Sequence, residues 1–94
     1  MDIRFKILWL DNSLGIAINQ INGTNTIPLT NYYFWPKNDV WGQIRLQLNS
    51  KNWITDKEKV QILNSVTDIL NNWQKNKKKE LIQEDKNIEF AGIS

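Results

Sequence analysis

The sequence predicts an α+β protein in which an N-terminal β-hairpin packs against two α-helices and a charged C-terminal tail follows. Two observations support this fold class: apolar residues alternate at a period of two up to Ile21, and they recur at helical spacing after Asn38. A chain of 94 residues is long enough for one domain and not for two. We therefore expect a single α+β domain over residues 1–75 and, over residues 76–94, a helix extension that continues into a flexible, charged tail.

The hairpin is predicted from two alternating segments joined by turn residues. Between Ile3 and Leu10 every odd position is apolar, which is typical of a strand with one buried face. The segment from Asp11 to Ser13 favours a turn, because its short polar side chains bond to the nearby backbone. Alternation resumes from Leu14 to Ile21, so we expect the two strands to pair. The cations Arg4 and Lys6 should lie on the solvent face of the first strand.

A loop and an aromatic segment follow the hairpin. We expect a loop over residues 22–25, after which Pro28 restricts Ile27 to an extended conformation. The segment from Thr30 to Trp35 is rich in aromatic side chains and is followed by Pro36. It is predicted to be either a third, short strand or an extended segment that lies over the core.

The first predicted helix extends from Asp39 to Asn49. Asn38 offers an N-cap side chain, and Asp39 would place a negative charge in the first turn, where the helix dipole favours it. Apolar residues recur at helical spacing in this segment and are expected to face the core: Val40, Trp41, Ile44 and Leu48.

The second helix is predicted to begin with a capping box and to reach Lys75. Thr55 and Glu58 have the spacing at which the Thr hydroxyl accepts from the Glu amide and the Glu carboxylate reaches back. An apolar stripe flanked by Ile62 and Ile69 is expected to face the core: Val60, Leu63, Val66, Leu70 and Trp73.

Composition excludes most catalytic chemistry. The chain contains no Cys and no His, which removes disulfides, thiolate nucleophiles, imidazole bases and the metal sites that use those ligands. Helix capping explains Asp56 and Glu58, and the turn explains Asp11, so no acid–base pair remains. We expect no enzymatic activity, no metal, no cofactor and no small-molecule substrate. No apolar run approaches the length of a membrane span, and we expect no membrane contact.

Three distinctive segments occur in a fixed order and spacing. They are LWLDNSLGIAINQ from Leu8, PLTNYYFWPKNDVW from Pro28 and KNWITDKEKVQILNSVTDILNNWQ from Lys51. Together they resemble the plastid-specific ribosomal protein 3 family of plastids and cyanobacteria, and the resemblance covers the chain from Ile3 to Gln74. The central segment is the most specific, because Pro-Leu-Thr, a run of aromatic residues and Trp-Pro rarely coincide.

The resemblance implies a structural constituent of the small subunit of the chloroplast ribosome, in contact with ribosomal RNA and neighbouring ribosomal proteins and without enzymatic activity. Frequent Asn, Ile and Lys, with only two Arg, favour an A/T-rich genome. The N-terminus also lacks the pattern of a transit peptide. Both observations favour a plastid-encoded copy that acts on ribosomes in the plastid stroma. The alternative function is a non-ribosomal adaptor for protein–protein interactions, which the mild net charge of +2 also permits.

Candidate RNA-binding cations fall into two groups. Lys37, Arg45 and Lys51 lie in or beside the first predicted helix, close to the aromatic segment, and each could bind a phosphate or simply form a solvated face. Arg45 is the strongest candidate, because a guanidinium binds phosphate bidentately and stacks on bases. The densest positive cluster lies at the end of the second helix, where the helix dipole alone also favours cations: Lys75, Lys77, Lys78 and Lys79.

The aromatic segment could offer rings on which unpaired bases stack. A period of two leaves two alternatives open, in which either Tyr33 and Trp35 or Tyr32 and Phe34 point outward, and Tyr33 and Trp35 are taken as candidate RNA-binding residues. Alternatively, the rings only fill or cover the core. The remaining Trp residues are expected in the core, unless an exposed ring anchors a protein partner: Trp9, Trp41, Trp53 and Trp73.

Overall fold

A computed structural model describes residues 2–75 and 87–93 of the chain. The elements in chain order are β1 (Asp2–Trp9), β2 (Leu14–Asn22), β3 (Asn25–Pro28), β4 (Tyr33–Trp35), α1 (Val40–Asn49), α2 (Asp56–Lys75) and β5 (Ile88–Ile93). The strands form one sheet in the order β3-β2-β1-β5, and β4 also pairs with β2. Apolar residues from alternate positions of β1 and β2 form one core with both helices, so the α+β class is confirmed.

The predicted hairpin is confirmed. β1 and β2 are antiparallel, with Asp2 opposite Ile21 at one end and Trp9 opposite Leu14 at the other. The turn between them is closed by a hydrogen bond from the Leu10 amide to the Ser13 carbonyl oxygen at 3.1 Å. The odd-numbered side chains of β1 face the helices as predicted, and those between residues 5 and 9 are buried.

Two short strands, not one, line the outer edge of β2. β3 pairs with residues 19–22 of β2, and β4 pairs with residues 14–16. The predicted loop over residues 22–25 is therefore shorter than expected, and Gly23 adopts a φ of 64° at the turn that connects β2 to β3. The aromatic segment does supply the third strand that the sequence offered as one of two alternatives.

Leu29 and Thr30 separate β3 from β4 and keep both strands attached to β2. The amides of Leu29 and Thr30 both donate to the carbonyl oxygen of Ile18, at 2.9 and 3.2 Å. The Ile18 amide in turn donates to Oγ1 of Thr30 at 3.0 Å. Leu29 and Thr30 are both buried. The leucine thus fills the core, while the threonine hydroxyl replaces the backbone acceptor that the break in the ladder removes.

α1 begins at Val40 because Asp39, and not the predicted Asn38, is its N-cap. Oδ1 of Asp39 accepts from the Gly42 amide at 3.2 Å. A Cβ atom at position 42 would collide with this carboxylate, which explains a glycine inside the helix. Asn38 closes the preceding turn instead: its Oδ1 accepts from the Phe34 amide at 3.0 Å, and its own amide donates to the Phe34 carbonyl oxygen.

The predicted capping box at the start of α2 is confirmed. Oε1 of Glu58 accepts from the Thr55 amide at 2.9 Å, and the Glu58 amide donates to Oγ1 of Thr55 at 3.1 Å. The Thr55 hydroxyl also donates to Oε1 of Glu58. The backbone hydrogen bond, followed by that of the hydroxyl, favours the charged carboxylate and lowers the pKa of Glu58.

The buried face of α2 is rotated from the predicted stripe. Val60 is 56% exposed, so its assignment to the core is wrong, and Leu63 is only partly buried. Ile62 and Ile69, predicted as flanks, lie in the core. The side chains of this helix that are buried follow one helical face: Ile62, Val66, Ile69, Leu70 and Trp73.

β5 corrects part of the predicted tail. The chain from Ile88 to Ile93 pairs in parallel with β1, with Ile88 opposite Phe5, and the Phe5 amide donates to the Asn87 carbonyl oxygen at 2.7 Å. The prediction of a flexible, charged tail is therefore wrong for this segment, because its backbone completes the edge of the sheet. Of the predicted helix extension and tail over residues 76–94, residues 76–86 and residue 94 lie outside the described residues.

We predict that Thr30→Val lowers the free energy of unfolding by about 1–3 kcal/mol, because it leaves the buried Ile18 amide without an acceptor while it preserves the shape of the side chain. Urea unfolding followed by tryptophan fluorescence measures this. Thr30→Ser is the control: it retains the hydroxyl and should lie closer to the parent. A Val variant as stable as the parent would show that this hydrogen bond contributes nothing.

Two substitutions on α2 test which face is buried. Val66 is fully buried and Val60 is exposed. Val66→Ala should cost about 1.5–3 kcal/mol of unfolding free energy, because it removes apolar contacts in the core. The same change at Val60 should stay within about 0.5 kcal/mol of the parent. Thermal unfolding by circular dichroism compares the two, and equal losses would contradict the orientation of α2.

Candidate nucleic-acid interface

Three of the predicted RNA-binding cations are distributed along α1. Lys37 is exposed in the turn before the helix, Arg45 is exposed at its middle and Lys51 follows its last turn. Lys51 is partly buried, and its Nζ donates to Oγ of Ser50 at 3.1 Å. Since α1 has 10 residues, it is about 15 Å long. The three cations therefore cover a length that spans several phosphates of a nucleic-acid strand.

The α1 surface has little negative charge to compete with these cations. No acidic residue occurs between Val40 and Asn49, and the Asp39 carboxylate is engaged as the N-cap. Neither Lys37 nor Arg45 has an ion-pair partner within the part of the chain that the structure describes. Both charges are thus available to a phosphate without the loss of an internal ion pair.

The cations of α2 have a different environment. Lys59 forms an ion pair with Asp56 at 3.7 Å, and Lys57 lies between Asp56 and the capping carboxylate of Glu58 in sequence. Lys75, another predicted contact, is exposed at the last residue of α2, where a cation also complements the helix dipole. The rest of that cluster lies outside the described residues: Lys77, Lys78 and Lys79.

The aromatic segment divides into two pairs of rings that face opposite sides of the sheet. Tyr33 and Trp35 lie opposite Ile16 and Leu14 in register, on the helix side, and pack against the core. Only part of each ring remains exposed, which limits the contact that these two predicted residues could make with RNA. Tyr32 and Phe34 are the outward pair. Their rings stack with centroids 6.3 Å apart and an interplanar angle of 28°.

Two tryptophans that were expected in the core are exposed. Trp41 is 39% exposed and Trp53 is 54% exposed, whereas Trp9 and Trp73 are buried as predicted. Trp41 directly follows Val40 on α1. Val40 belongs to the buried stripe, so the side chain of Trp41 lies at its edge. The indole N–H of Trp53 donates to Oε1 of Gln20 at 2.9 Å, so this ring is held against β2 while most of it faces solvent.

A cleft of about 270 Å³ lies between the start of β1, the first turns of α2 and Asn87. Its two carboxylates, Asp2 and Glu58, have no basic partner in the lining, and Glu58 is occupied in the capping box. A carboxylate whose pKa is lowered is a poor general acid. Within residues 2–75 and 87–93, no group of three acidic side chains could hold a metal ion.

None of the helices in the described ranges has the length and the hydropathy required to cross a membrane.

The family comparison covers half of the chain. Residues 29–76 match the family model described as plastid and cyanobacterial ribosomal protein (PSRP-3 / Ycf65). This range contains the Leu29-Thr30 break in the sheet, the aromatic pairs, α1 and α2. The match thus includes the surface of α1 on which the candidate cations lie.

Curated relatives extend the similarity beyond this range. The chain is 48% identical over 82 residues to a small ribosomal subunit protein cS23 of Gracilaria tenuistipitata var. liui, covering 87% of this chain and 83% of the relative. It is 42% identical over 79 residues to a probable small ribosomal subunit protein cS23 of Synechococcus sp. (strain JA-3-3Ab), covering 84% and 80%. A cS23 protein of Cyanidium caldarium is 45% identical over 75 residues, covering 80% and 74%.

These matches confirm the family predicted from the three sequence segments. The family consists of ribosomal structural proteins and not of enzymes, which agrees with the lack of a catalytic constellation in the sequence. Both the family model and the high identity over most of both chains lead to the same assignment. The chain belongs to the plastid and cyanobacterial ribosomal protein family PSRP-3 / Ycf65.

Proposed function

We propose that this chain is a structural constituent of the small subunit of the chloroplast ribosome, where the surface of α1 contacts ribosomal RNA. The observation that carries the RNA contact is that Lys37, in the turn before α1, and Arg45, on α1, are exposed and form no ion pair within the described residues, while α1 itself contains no acidic residue. Family membership supports the assignment to the ribosome. Frequent Asn, Ile and Lys, as in an A/T-rich genome, support a plastid-encoded copy in the plastid stroma.

The contact would work by charge neutralisation on a rigid support. A Lys or Arg that meets a phosphate releases condensed counterions, which favours binding regardless of RNA sequence. Arg45 would add a bidentate hydrogen bond to the phosphate oxygens. Because Val40, Ile44 and Leu48 anchor α1 in the core, the helix would hold Arg45 at a fixed position beside its buried face, with Lys37 in the turn that precedes it. Lys51 and Lys75 would extend the contact at the ends of α1 and α2.

Exposed tryptophans supply surfaces for neighbouring ribosomal proteins. Trp41 lies one helical turn from Arg45, and Trp53 lies in the connection between α1 and α2. Large exposed aromatic rings are common anchors of protein interfaces. The same rings are also the observation in favour of the competing function, a non-ribosomal adaptor, since that function needs no RNA contact.

Sedimentation of a tagged copy through sucrose gradients, at moderate and at high salt, tests this function. The chain should sediment with the small subunit at both salt concentrations. Lys37→Gln combined with Arg45→Gln should weaken retention by about 1–3 kcal/mol of binding free energy, most visibly at high salt, because two phosphate contacts are lost.

Lys57→Gln combined with Lys59→Gln is the matched control, because it removes the same charge from α2, where acidic residues are interspersed. This control should be retained like the parent. If the parent never sediments with ribosomal particles, the ribosomal function is wrong and the adaptor is favoured. If the Lys37 and Arg45 variant is retained like the parent, α1 is not the RNA-binding surface.

A further inference from the structure

The sheet has a second face that no described helix or strand covers. Residues directly opposite each other in paired strands share a face, so the register defines this surface. We call it the open face. It includes Asp2, Arg4, Lys6 and Leu8 of β1, Gly15, Ala17 and Asn19 of β2, Thr26 of β3, Phe34 of β4 and Glu89 of β5.

The outward aromatic pair lies on the open face above residues that have almost no side chain. Phe34 is opposite Gly15, and a Cβ atom on Gly15 would come within 2.7 Å of the Phe34 ring. The ring therefore rests on the backbone of β2. Tyr32 stacks on Phe34, and Ala17 next to Gly15 on this face is buried although it belongs to the face opposite the helices. The two partly buried rings, inclined at 28° to each other, are thus supported from below by the backbone of β2.

Two cations that form no ion pair within the described residues lie on the same face as these rings, across β2 from them. They are Arg4 and Lys6 of β1. Two acidic groups of the described chain share this face, Glu89 opposite Lys6 in register and Asp2 two residues before Arg4 on β1. Burial, followed by the charge of Glu89, raises the pKa of Tyr32 above its usual value, and its phenol can donate a hydrogen bond.

Asn19 adds a polar group with unused hydrogen-bonding capacity. It is 9% exposed and lies opposite Arg4 in register. Its side-chain amide makes no hydrogen bond with the described part of the chain, and it is not fully shielded from solvent. An asparagine amide offers one acceptor and two donors, which matches the polar edge of a nucleobase.

We propose that the open face binds an unpaired stretch of ribosomal RNA, with bases stacked on Tyr32 and Phe34 and phosphates bound by Arg4 and Lys6. This proposal rests on the proposed ribosomal function and adds a second, separate RNA surface to that of α1. An outward ring pair supported by the backbone of β2 favours single-stranded RNA, because the bases of a duplex are already stacked on each other. Within the described residues, Arg4 and Lys6 form no ion pair with Asp2 or Glu89, so both cations remain available to phosphates.

Binding of the full-length chain to fluorescein-labelled RNA tests the proposal by fluorescence anisotropy. The probes are a single strand of about 12 nucleotides and a duplex of the same length. The single strand should bind more tightly than the duplex. Tyr32→Leu and Phe34→Leu keep apolar cover over β2 but remove the flat rings, so each should weaken single-strand binding by about 5- to 100-fold.

The cations are tested by the dependence of binding on salt. Arg4→Gln combined with Lys6→Gln should lower the slope of log K against log salt by about 1.4, because about 0.7 is lost for each phosphate contact with a single strand. The leucine variants should leave this slope unchanged. Lys57→Gln combined with Lys59→Gln is again the charge-matched control and should change the slope less than the Arg4 and Lys6 pair.

Folding is checked separately, because Phe34 covers Gly15. Variants that melt like the parent by circular dichroism and bind the single strand less tightly support the proposal. Folded leucine variants that bind like the parent would overturn it and assign the open face to a protein neighbour. If a leucine variant does not fold, single-strand binding is compared between the Arg4 and Lys6 variant and two variants that retain both rings, Tyr32→Phe and Phe34→Tyr. If the Arg4 and Lys6 variant then binds the single strand as tightly as the parent, the proposal is overturned.

The two functional claims fail separately. A chain that sediments with the small subunit but shows no preference for single strands contradicts only the open-face site. A chain that binds single strands through Tyr32 and Phe34 but never sediments with ribosomes contradicts the ribosomal assignment and leaves the RNA-binding face standing.

Discussion

The buried hydrogen bonds between Thr30 and Ile18 set the positions of the elements that follow them. The paired residues Asn19–Pro28 and Ile16–Tyr33 are three residues apart on β2 but five residues apart on the segment that connects β3 to β4. This connecting segment therefore has two extra residues at the break. In an exposed loop such an insertion costs little stability. Here β3 and β4 both remain paired to β2, so the backbone amide and carbonyl of Ile18, which the insertion leaves without strand partners, need other hydrogen-bond partners. The Thr30 hydroxyl and two consecutive amides supply them.

The number of extra residues decides which aromatic rings face outward. Side chains alternate across a strand with a period of two, so an insertion of two preserves the alternation from β3 into β4. Phe34 then shares the open face with Thr26 of β3, while Tyr33 and Trp35 turn toward the helices. One extra residue, or three, would reverse this assignment. The division of the aromatic segment into a core pair and an outward pair is therefore a consequence of the Leu29-Thr30 break.

Local signals in the sequence were sufficient for the elements that depend on local contacts. The hairpin, the capping box of Thr55 and Glu58 and the existence of both helices were predictable, since period, turn chemistry and spacing specify them within a few residues. Elements that depend on distant partners were not. β5 consists of six residues next to a highly charged segment, and its strand forms because β1 has a free edge, which no local pattern reveals.

The candidate site shows the same limit. Spacing identified Lys37 and Arg45 as neighbours of one helix, and the structure leaves both exposed and without ion pairs. The orientation of a residue within a helix was less predictable: Trp41 and Val60 fit a broad apolar stripe, but Val40 and Ile62 occupy the narrower face that the sheet can bury. In the aromatic segment, the choice between the two outward pairs depended on the number of extra residues at the Leu29-Thr30 break, which could not be predicted from the sequence.

The mild net charge of +2 is compatible with RNA binding because cations without ion pairs within the described residues lie on both sides of the sheet. α1 belongs to the helix layer, and the open face is the opposite surface of the same sheet, so a helix layer and a sheet layer separate the two. Within the described residues, Lys37 and Arg45 beside and on α1 and Arg4 and Lys6 on the open face form no ion pair. A body with short-range contacts on opposite sides is suited to hold two RNA elements at a fixed separation. For that task rigidity matters more than total charge, and the buried Thr30–Ile18 hydrogen bonds provide it where the sheet would otherwise be interrupted.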